Sequence, residues 1–181
     1  WRRADRHVYG RFDLRYDGRR PPKLLEYNAD TPTSLLEAAI VQWHWLTDVY
    51  PDDDQWNSLH EQLVDRWRSL RGTLPGAHLH FSWSGADATG EDNVTTAYLQ
   101  ETAAEAGFDT IALPIEEVGF DTELERFVDL AEAPIESIFK LYPWEWVLDD
   151  EFGRRVVESL PETLWIEPLW KTLLSNKAIL A

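Results

Sequence analysis

Two short segments near the start of the chain carry polar residues of the kinds that bind a metal ion or a phosphate group. These residues are Arg11, Asp13, Glu26 and Asn28. Alternation of polar and apolar side chains predicts that residues 11–15 and 23–28 are extended, each with its polar residues on one face. Asp17-Gly18 is a tight-turn signal between the two segments. We therefore expect a hairpin-like unit that brings the four polar side chains together.

The polar groups expected on this face favour the binding of Mg²⁺. They are two carboxylates, an amide oxygen and a guanidinium. Mg²⁺ takes hard oxygen ligands, and one or two carboxylates hold it while water and phosphate fill its other positions. Asp13, Glu26 and Asn28 would supply the protein oxygens, with Arg11 beside them. The same pattern is also typical of the solvated face of an edge hairpin, and the spacing alone leaves both interpretations open.

Composition limits the classes of protein to which the chain can belong. Its 181 residues are enough for one domain with a hydrophobic core, or for a large part of a bigger one. The formal net charge of −16 argues against a nucleic-acid partner, because phosphate binding needs clustered Lys and Arg. No apolar run approaches the roughly 20 residues that a membrane helix needs. The acidity is compatible with a polyamine ligand, and a solvated acidic surface explains it equally well.

Hydrophobic periodicity predicts a single α/β unit. Residues 77–83, 91–107 and 109–115 have the patterns of a strand, a helix and a strand, which imply a right-handed crossover and a parallel strand pair. Short strands are expected at 126–130 and 137–142, and an interrupted helix is expected after them.

Two amphipathic helices are expected between the hairpin and the first of these strands. Ser34 and Glu37 form a capping-box pattern at the start of the first, with Thr31-Pro32 as a rival start. Their apolar stripes predict that three tryptophans lie in the core. These are Trp43, Trp56 and Trp67.

Four blocks of the sequence resemble the glutathionylspermidine synthase family, which are ATP-dependent carboxylate–amine ligases of the ATP-grasp kind. The blocks are YGRFDL, KLLEYNADTPTSLLEA, FKLYPWEW and WIEPLWKTLLSNKAIL, and they follow the family's order over nearly the whole chain. The resemblance implies an α/β fold with a mixed sheet and flanking helices, the pre-ATP-grasp-like portion of a synthetase. We expect residues 1–181 to form one incomplete unit of such a larger synthetase domain.

The resemblance also implies a role at the nucleotide for four residues of the first two blocks and for one lysine near the end. Arg11, Asp13, Glu26 and Asn28 would surround ATP phosphates and Mg²⁺, with Arg11 as the catalytic residue that stabilises charge on the transferring group. Lys177 would bind the nucleotide as a point charge, although a lysine near a helix end also complements the helix dipole. Glu167, in the EPLW motif of the last block, belongs to the resemblance without a role that the sequence explains.

Four further residues match the substrate sites of the family. Thr31 and Thr33 stand where the family contacts its peptide substrate, although hydroxyl residues at a helix start are also common caps. Glu91 and Asp92 match an acidic pair near the amine substrate, with aspartate replacing glutamate at the second position. Acidic residues at a helix start are favoured by the helix dipole as well, so both interpretations stand.

The predicted function is an ATP-dependent ligase that joins a glutathione-like carboxylate to a spermidine-like amine through an acyl phosphate. ATP and Mg²⁺ would be its cofactors, its partners would be small molecules, and its location would be cytoplasmic. The family's second nucleotide-binding lysine and flexible loop lie beyond Ala181, so we expect the chain alone to be inactive. The alternative is a non-catalytic acidic module that binds a polyamine or a protein partner. The sequence makes no prediction about oligomeric state.

Overall fold

The computed structural model describes residues 6–180, and within them the chain forms eight strands and six α-helices. The strands are β1 (Arg11–Arg15), β2 (Lys23–Asn28), β3 (His78–Trp83), β4 (Asp109–Pro114), β5 (Gly119–Asp121), β6 (Arg126–Val128), β7 (Ser137–Leu141) and β8 (Leu164–Ile166). The helices are α1 (Gln42–Val49), α2 (Leu59–Leu70), α3 (Glu91–Glu105), α4 (Trp144–Asp149), α5 (Gly153–Glu158) and α6 (Lys171–Ser175). A π-helical turn, Glu37–Val41, leads into α1, and 3₁₀ helices form at Ile115–Glu117 and Lys177–Leu180.

A four-stranded parallel sheet lies at the centre, with the strand order β4-β3-β7-β8. Every residue of β7 is buried, as expected for a strand in the middle of a parallel sheet with both faces covered. The predicted α/β fold and the parallel β3–α3–β4 unit are confirmed. The antiparallel pairs belong to two separate hairpins, β1–β2 and β5–β6.

Each face of the sheet has its own apolar core, because successive side chains of a strand point to opposite faces. On one face, helices α2 and α3 pack against Leu79, Phe81 and Phe139. Trp67 of α2 is completely buried there, as predicted, and its indole N–H donates a hydrogen bond to Thr102 Oγ1 at 3.0 Å.

The opposite face is covered by the β5–β6 hairpin and by α4 and α5. Phe127, Trp144 and Val156 from these elements pack against Ile138 and Trp165 of the sheet. None of the helices within residues 6–180 is long and apolar enough to cross a membrane.

Two of the three tryptophan predictions are wrong. Trp43 is 40% exposed, because the π-helical turn Glu37–Val41 has a wider turn than an α-helix and changes the phase of the apolar stripe after it. Trp56 is 97% exposed, because α2 begins only at Leu59 and Trp56 is not part of its apolar face.

The predicted capping box does not form either. Ser34 has a left-handed backbone, with φ of 62°, whereas an N-cap residue needs an extended one. No side-chain cap hydrogen bond is formed at the start of the π-helical turn.

Candidate functional site

The β1–β2 hairpin places the predicted polar residues on one face. Arg11 lies directly opposite Asn28, and Asp13 lies directly opposite Glu26. Opposed residues of an antiparallel pair point to the same face, and a spacing of two residues along a strand preserves that face. The register shift of the hairpin comes after Asp13, so it does not disturb these pairs. The four side chains therefore share one face of the hairpin, while their binding of a metal ion stays a prediction.

Each carboxylate of this face has a cationic partner. Arg11 Nε lies 2.8 Å from Asp13 Oδ1, and its Nη2 donates to Asp13 Oδ2 at 3.4 Å. Lys177 Nζ lies 3.0 Å from Glu26 Oε2, because the 3₁₀ helix at Lys177–Leu180 packs against β2. The charges of the two acidic and two basic groups cancel, and all four side chains are at least partly accessible to solvent.

The loop that follows β2 is attached by two side chains, one from β1 and one from the segment that leads into it. Arg11 Nη1 donates to both the carbonyl oxygen and Oγ1 of Thr33, each at 3.1 Å. The hydroxyl of Tyr9 donates to the carbonyl oxygen of Pro32 at 2.6 Å. Thr31 is half-buried in the same loop. The structure therefore brings Thr33 beside the predicted metal face, with Thr31 two residues earlier in the same loop.

Glu91 and Asp92 are the first two residues of α3, as the sequence predicts. Their backbone N–H groups donate to Thr89 Oγ1 at 3.2 Å and to Asp87 Oδ2 at 3.0 Å, so the preceding loop caps the helix. Burial raises the pKa of Asp92, and the carboxylates of Asp87 and Glu91 raise it further. Asp87 is thus a part of this acidic group that the sequence interpretation missed.

Tyr9, two residues before β1, lies among charged groups of both signs. Burial raises the pKa of Tyr9, the carboxylate of Glu167 raises it further, and Arg11 opposes these effects. Asp92 adds a smaller increase to the same pKa.

A buried ion-pair network lies beneath the hairpin and the loop after β2. It consists of Asp30, Lys140, Glu167 and Lys171, all of them buried. In its first half, Lys140 Nζ lies 2.7 Å from Asp30 Oδ1, and the backbone N–H of Trp144 donates to Asp30 Oδ2 at 2.8 Å. Burial lowers the pKa of Lys140, although Asp30 opposes that effect.

The second half of the network holds the chain segment that enters β1. Glu167 Oε1 accepts hydrogen bonds from the backbone N–H groups of Val8, at 2.8 Å, and Tyr9, at 3.1 Å. Lys171 Nζ pairs with Glu167 Oε2 and also donates to the carbonyl oxygen of Tyr9 at 2.6 Å. The indole N–H of Trp144 donates to the carbonyl oxygen of Glu167 at 2.8 Å, which joins the two halves.

The sequence contained a signal for this network that the interpretation did not use. Lys140 and Glu167 are single charged residues within the apolar runs SIFKLY and LWIEPLW. A charge in a segment that must be buried needs a partner of the opposite sign, because an unpaired buried charge is strongly unfavourable. The partners themselves are distant in sequence and only the fold identifies them.

The donor set of the hairpin face fits a magnesium ion better than a transition metal. Within residues 6–180, no group of three His, Cys, Asp or Glu side chains is placed to hold a metal ion. The hairpin offers two carboxylates and the amide of Asn28, which are hard oxygen donors. Mg²⁺ suits so small a set because it keeps water and phosphate oxygens as its other ligands.

The chain is similar to known ligases and synthetases. A provisionally named acid–amine ligase of Haemophilus influenzae is 46% identical over 183 residues, which cover 100% of this chain and 46% of that protein. The bifunctional glutathionylspermidine synthetase/amidase of Escherichia coli is 27% identical, over 99% of this chain and 32% of that protein. The trypanothione synthetase of Crithidia fasciculata is 26% identical, over 99% of this chain and 30% of that protein.

The chain thus spans less than half the length of each of these relatives. The family model described as glutathionylspermidine synthase preATP-grasp matches residues 1–181. This chain belongs to the glutathionylspermidine synthase pre-ATP-grasp family.

Proposed function

We propose that this chain forms the magnesium- and substrate-binding half of the active site in a cytoplasmic, ATP-dependent carboxylate–amine ligase. The observation that carries the proposal is the convergence of Asp13, Glu26 and Asn28 with two cationic side chains on one hairpin face. The names of the relatives, an acid–amine ligase and two synthetases, support the same reaction class. Because those relatives are at least twice as long, the activity is proposed for the full-length protein and not for these 181 residues.

Three residues of the hairpin would hold the metal ion. Asp13, Glu26 and Asn28 supply oxygen donors from one face, and a bound Mg²⁺ would neutralise charge on the phosphates of ATP. Arg11 and Lys177, which pair with the two carboxylates, would contact phosphate oxygens at the same face. Arg11 presents a planar fork of donors, and its bonds to Thr33 already fix the direction of its guanidinium.

The loop after β2 would hold the peptide substrate next to the nucleotide. In the proposed reaction the carboxylate oxygen of the peptide attacks the γ-phosphorus of ATP, ADP leaves, and an acyl phosphate forms. Thr31 and Thr33 would orient that carboxylate through their hydroxyl groups. Arg11 would stabilise the negative charge on the transferring group. Removing one such preorganised donor from an active site costs about 3 kcal/mol of transition-state stabilisation.

The acidic start of α3 would hold the amine. The amine nitrogen attacks the acyl carbon, inorganic phosphate leaves, and an amide results. A polyamine carries further ammonium groups that need acidic partners, and Glu91 and Asp92 supply two carboxylates at one helix end.

Reciprocal substitutions in the full-length protein test this assignment. Asp13→Asn should raise the KM for Mg·ATP and lower kcat, with little effect on the amine. Glu91→Gln should raise the KM for the amine, measured with spermidine as the probe and glutathione as the peptide, and leave Mg·ATP use nearly unchanged. Loss of one charge from a partly desolvated pair corresponds to about 1–3 kcal/mol of binding.

The control is Glu101→Gln, which removes an exposed acid from the same helix and should change neither constant. If Glu91→Gln weakens only the use of ATP, the assignment of the amine site is wrong. If the full-length protein binds spermidine but forms no amide with ATP, the non-catalytic binding module is the better description.

A further inference from the structure

We propose that Glu167 is a positioning residue of this site, whose buried carboxylate fixes the direction in which β1 presents Arg11 and Asp13. The inference rests on the proposed function, because it concerns the same hairpin face. It assigns to the EPLW motif a role that the relatives' names do not give.

The hairpin needs such an anchor because it is not part of the central sheet. Within residues 6–180, β1 and β2 pair only with each other, as a two-stranded sheet. A two-stranded hairpin is marginally stable by itself and has no fixed orientation without contacts to other elements. Residues 6–10, which lead into β1, have no regular secondary structure, so no strand in the described part of the chain binds their backbone. Side chains must therefore hold this segment.

Glu167 and Lys171 supply that attachment at one point of the backbone. Glu167 accepts the N–H groups of Val8 and Tyr9, and Lys171 donates to the carbonyl oxygen of Tyr9. Both polar groups of the Tyr9 backbone are thus bound by one buried ion pair. Arg11 follows two residues later, so a small rotation of the chain at Tyr9 would displace its guanidinium.

The same attachment controls the loop that carries the predicted substrate threonines. The hydroxyl of Tyr9 bonds to Pro32, and Arg11 bonds to Thr33. Glu167 therefore acts through the β1 entry on both the phosphate-binding arginine and the peptide-binding loop, while it contacts neither ligand. Complete burial of Glu167 means that water cannot replace it as the acceptor of these N–H groups.

The test measures binding of Mg²⁺ with a non-hydrolysable ATP analogue to the full-length protein by calorimetry. Glu167→Gln keeps an oxygen for the two N–H groups but removes the charge that holds Lys171. The nucleotide affinity should fall about 10- to 100-fold, the range known for residues that orient metal ligands, while spermidine affinity stays unchanged.

Two further variants separate positioning from a general loss of stability. The double variant Glu167→Gln with Lys171→Gln removes the unpaired buried cation, so it should recover thermal stability but not nucleotide affinity. Asp129→Asn is the matched control, because it weakens another buried acid–base pair, Asp129 with His80 at 3.3 Å, on a different part of the fold. It should lower Tm without changing nucleotide affinity.

The outcomes distinguish this inference from the proposed function. If the unmodified protein binds no nucleotide, the proposed function is overturned. If it binds nucleotide and Glu167→Gln binds it equally well, or if the double variant recovers the affinity, only the positioning role is overturned. Backbone hydrogen exchange of the unmodified protein tests the attachment of Val8 and Tyr9 to Glu167 even if the variants do not fold. Protected amides of Val8 and Tyr9 support the attachment, and amides that exchange as in an unstructured chain refute it.

Discussion

Replacing Lys177 by methionine should weaken nucleotide binding and strengthen the binding of a divalent metal ion alone. In the structure Lys177 Nζ lies 3.0 Å from Glu26 Oε2, so it competes with a cation for this carboxylate. When a nucleotide is present, we expect the same ammonium group to contact a phosphate oxygen. One substitution should therefore change the two affinities in opposite directions.

Burial decides how large each effect is. The Lys177 side chain is 72% exposed and that of Glu26 is 25% exposed, which makes this a surface ion pair. Such pairs contribute about 0–1 kcal/mol, so metal affinity should rise by no more than about fivefold. The same bound limits the loss of thermal stability to about 2–4 °C for a domain of this size. A hydrogen bond to a charged phosphate contributes about 1.5–3 kcal/mol, so nucleotide affinity should fall roughly 10- to 150-fold.

The measurement uses the full-length protein, with Mn²⁺ alone and with the Mg²⁺ complex of a non-hydrolysable ATP analogue. Arg154→Met is the matched control, because Arg154 and Glu158 form another surface pair, at 2.8 Å with exposures of 88% and 44%. The control should change neither affinity. An unchanged nucleotide affinity in Lys177→Met, or a metal affinity that falls together with it, would refute the reasoning.

Two further predictions concern stability. Asp92→Asn should raise Tm at pH 7, because burial, with Asp87 and Glu91, raises the pKa of Asp92 in the folded state and makes its ionised form unfavourable there. The gain should vanish as the pH falls below 3.8, where Asp92 is protonated in both states; a gain that persists in acid contradicts this explanation. Trp67→Ala should reduce the free energy of unfolding by about 3–5 kcal/mol, since it empties a buried site and leaves Thr102 without its indole donor. Denaturant titration measures this loss, and a value below about 1 kcal/mol would show that the core around Trp67 collapses to fill the space.

Local patterns were sufficient to predict the hairpin face and the β3–α3–β4 unit. Alternation fixes which side of a strand each residue occupies, and the turn between the strands limits how they pair. Asp13 and Glu26 could therefore be assigned to one face without coordinates. The start of α3 at Glu91 was equally readable, because Gly90 and two acids mark a helix start.

Two kinds of feature could not be predicted in this way: the phase of a helix's apolar stripe after an irregular turn, and ion pairs between residues that are distant in sequence. The π-helical turn before α1 rotates the apolar stripe of the helix and exposes Trp43. The sequence of that turn, EAAIV, contains no residue that predicts a π-helix. Lys177 was predicted to bind the nucleotide, and that role stays a prediction, but its ion pair with Glu26, which is far away in sequence, could not be predicted from any local pattern. The partner of Glu167 at the start of β1 is likewise set by the packing of α6 and not by any local pattern.

The two sets of ion pairs differ in burial, and that difference suits them to different tasks. The pairs of the hairpin face are accessible to water, so breaking one requires no more than about 1 kcal/mol and a ligand can replace it. The pairs beneath it are buried. Removing one partner of such a pair leaves an unpaired buried charge and destabilises the fold by about 3–5 kcal/mol. A ligand can therefore exchange the outer partners of Asp13 and Glu26 while Glu167 and Lys171 keep the hairpin in place. The predicted site combines exchangeable charges at its surface with a fixed ionic support below them.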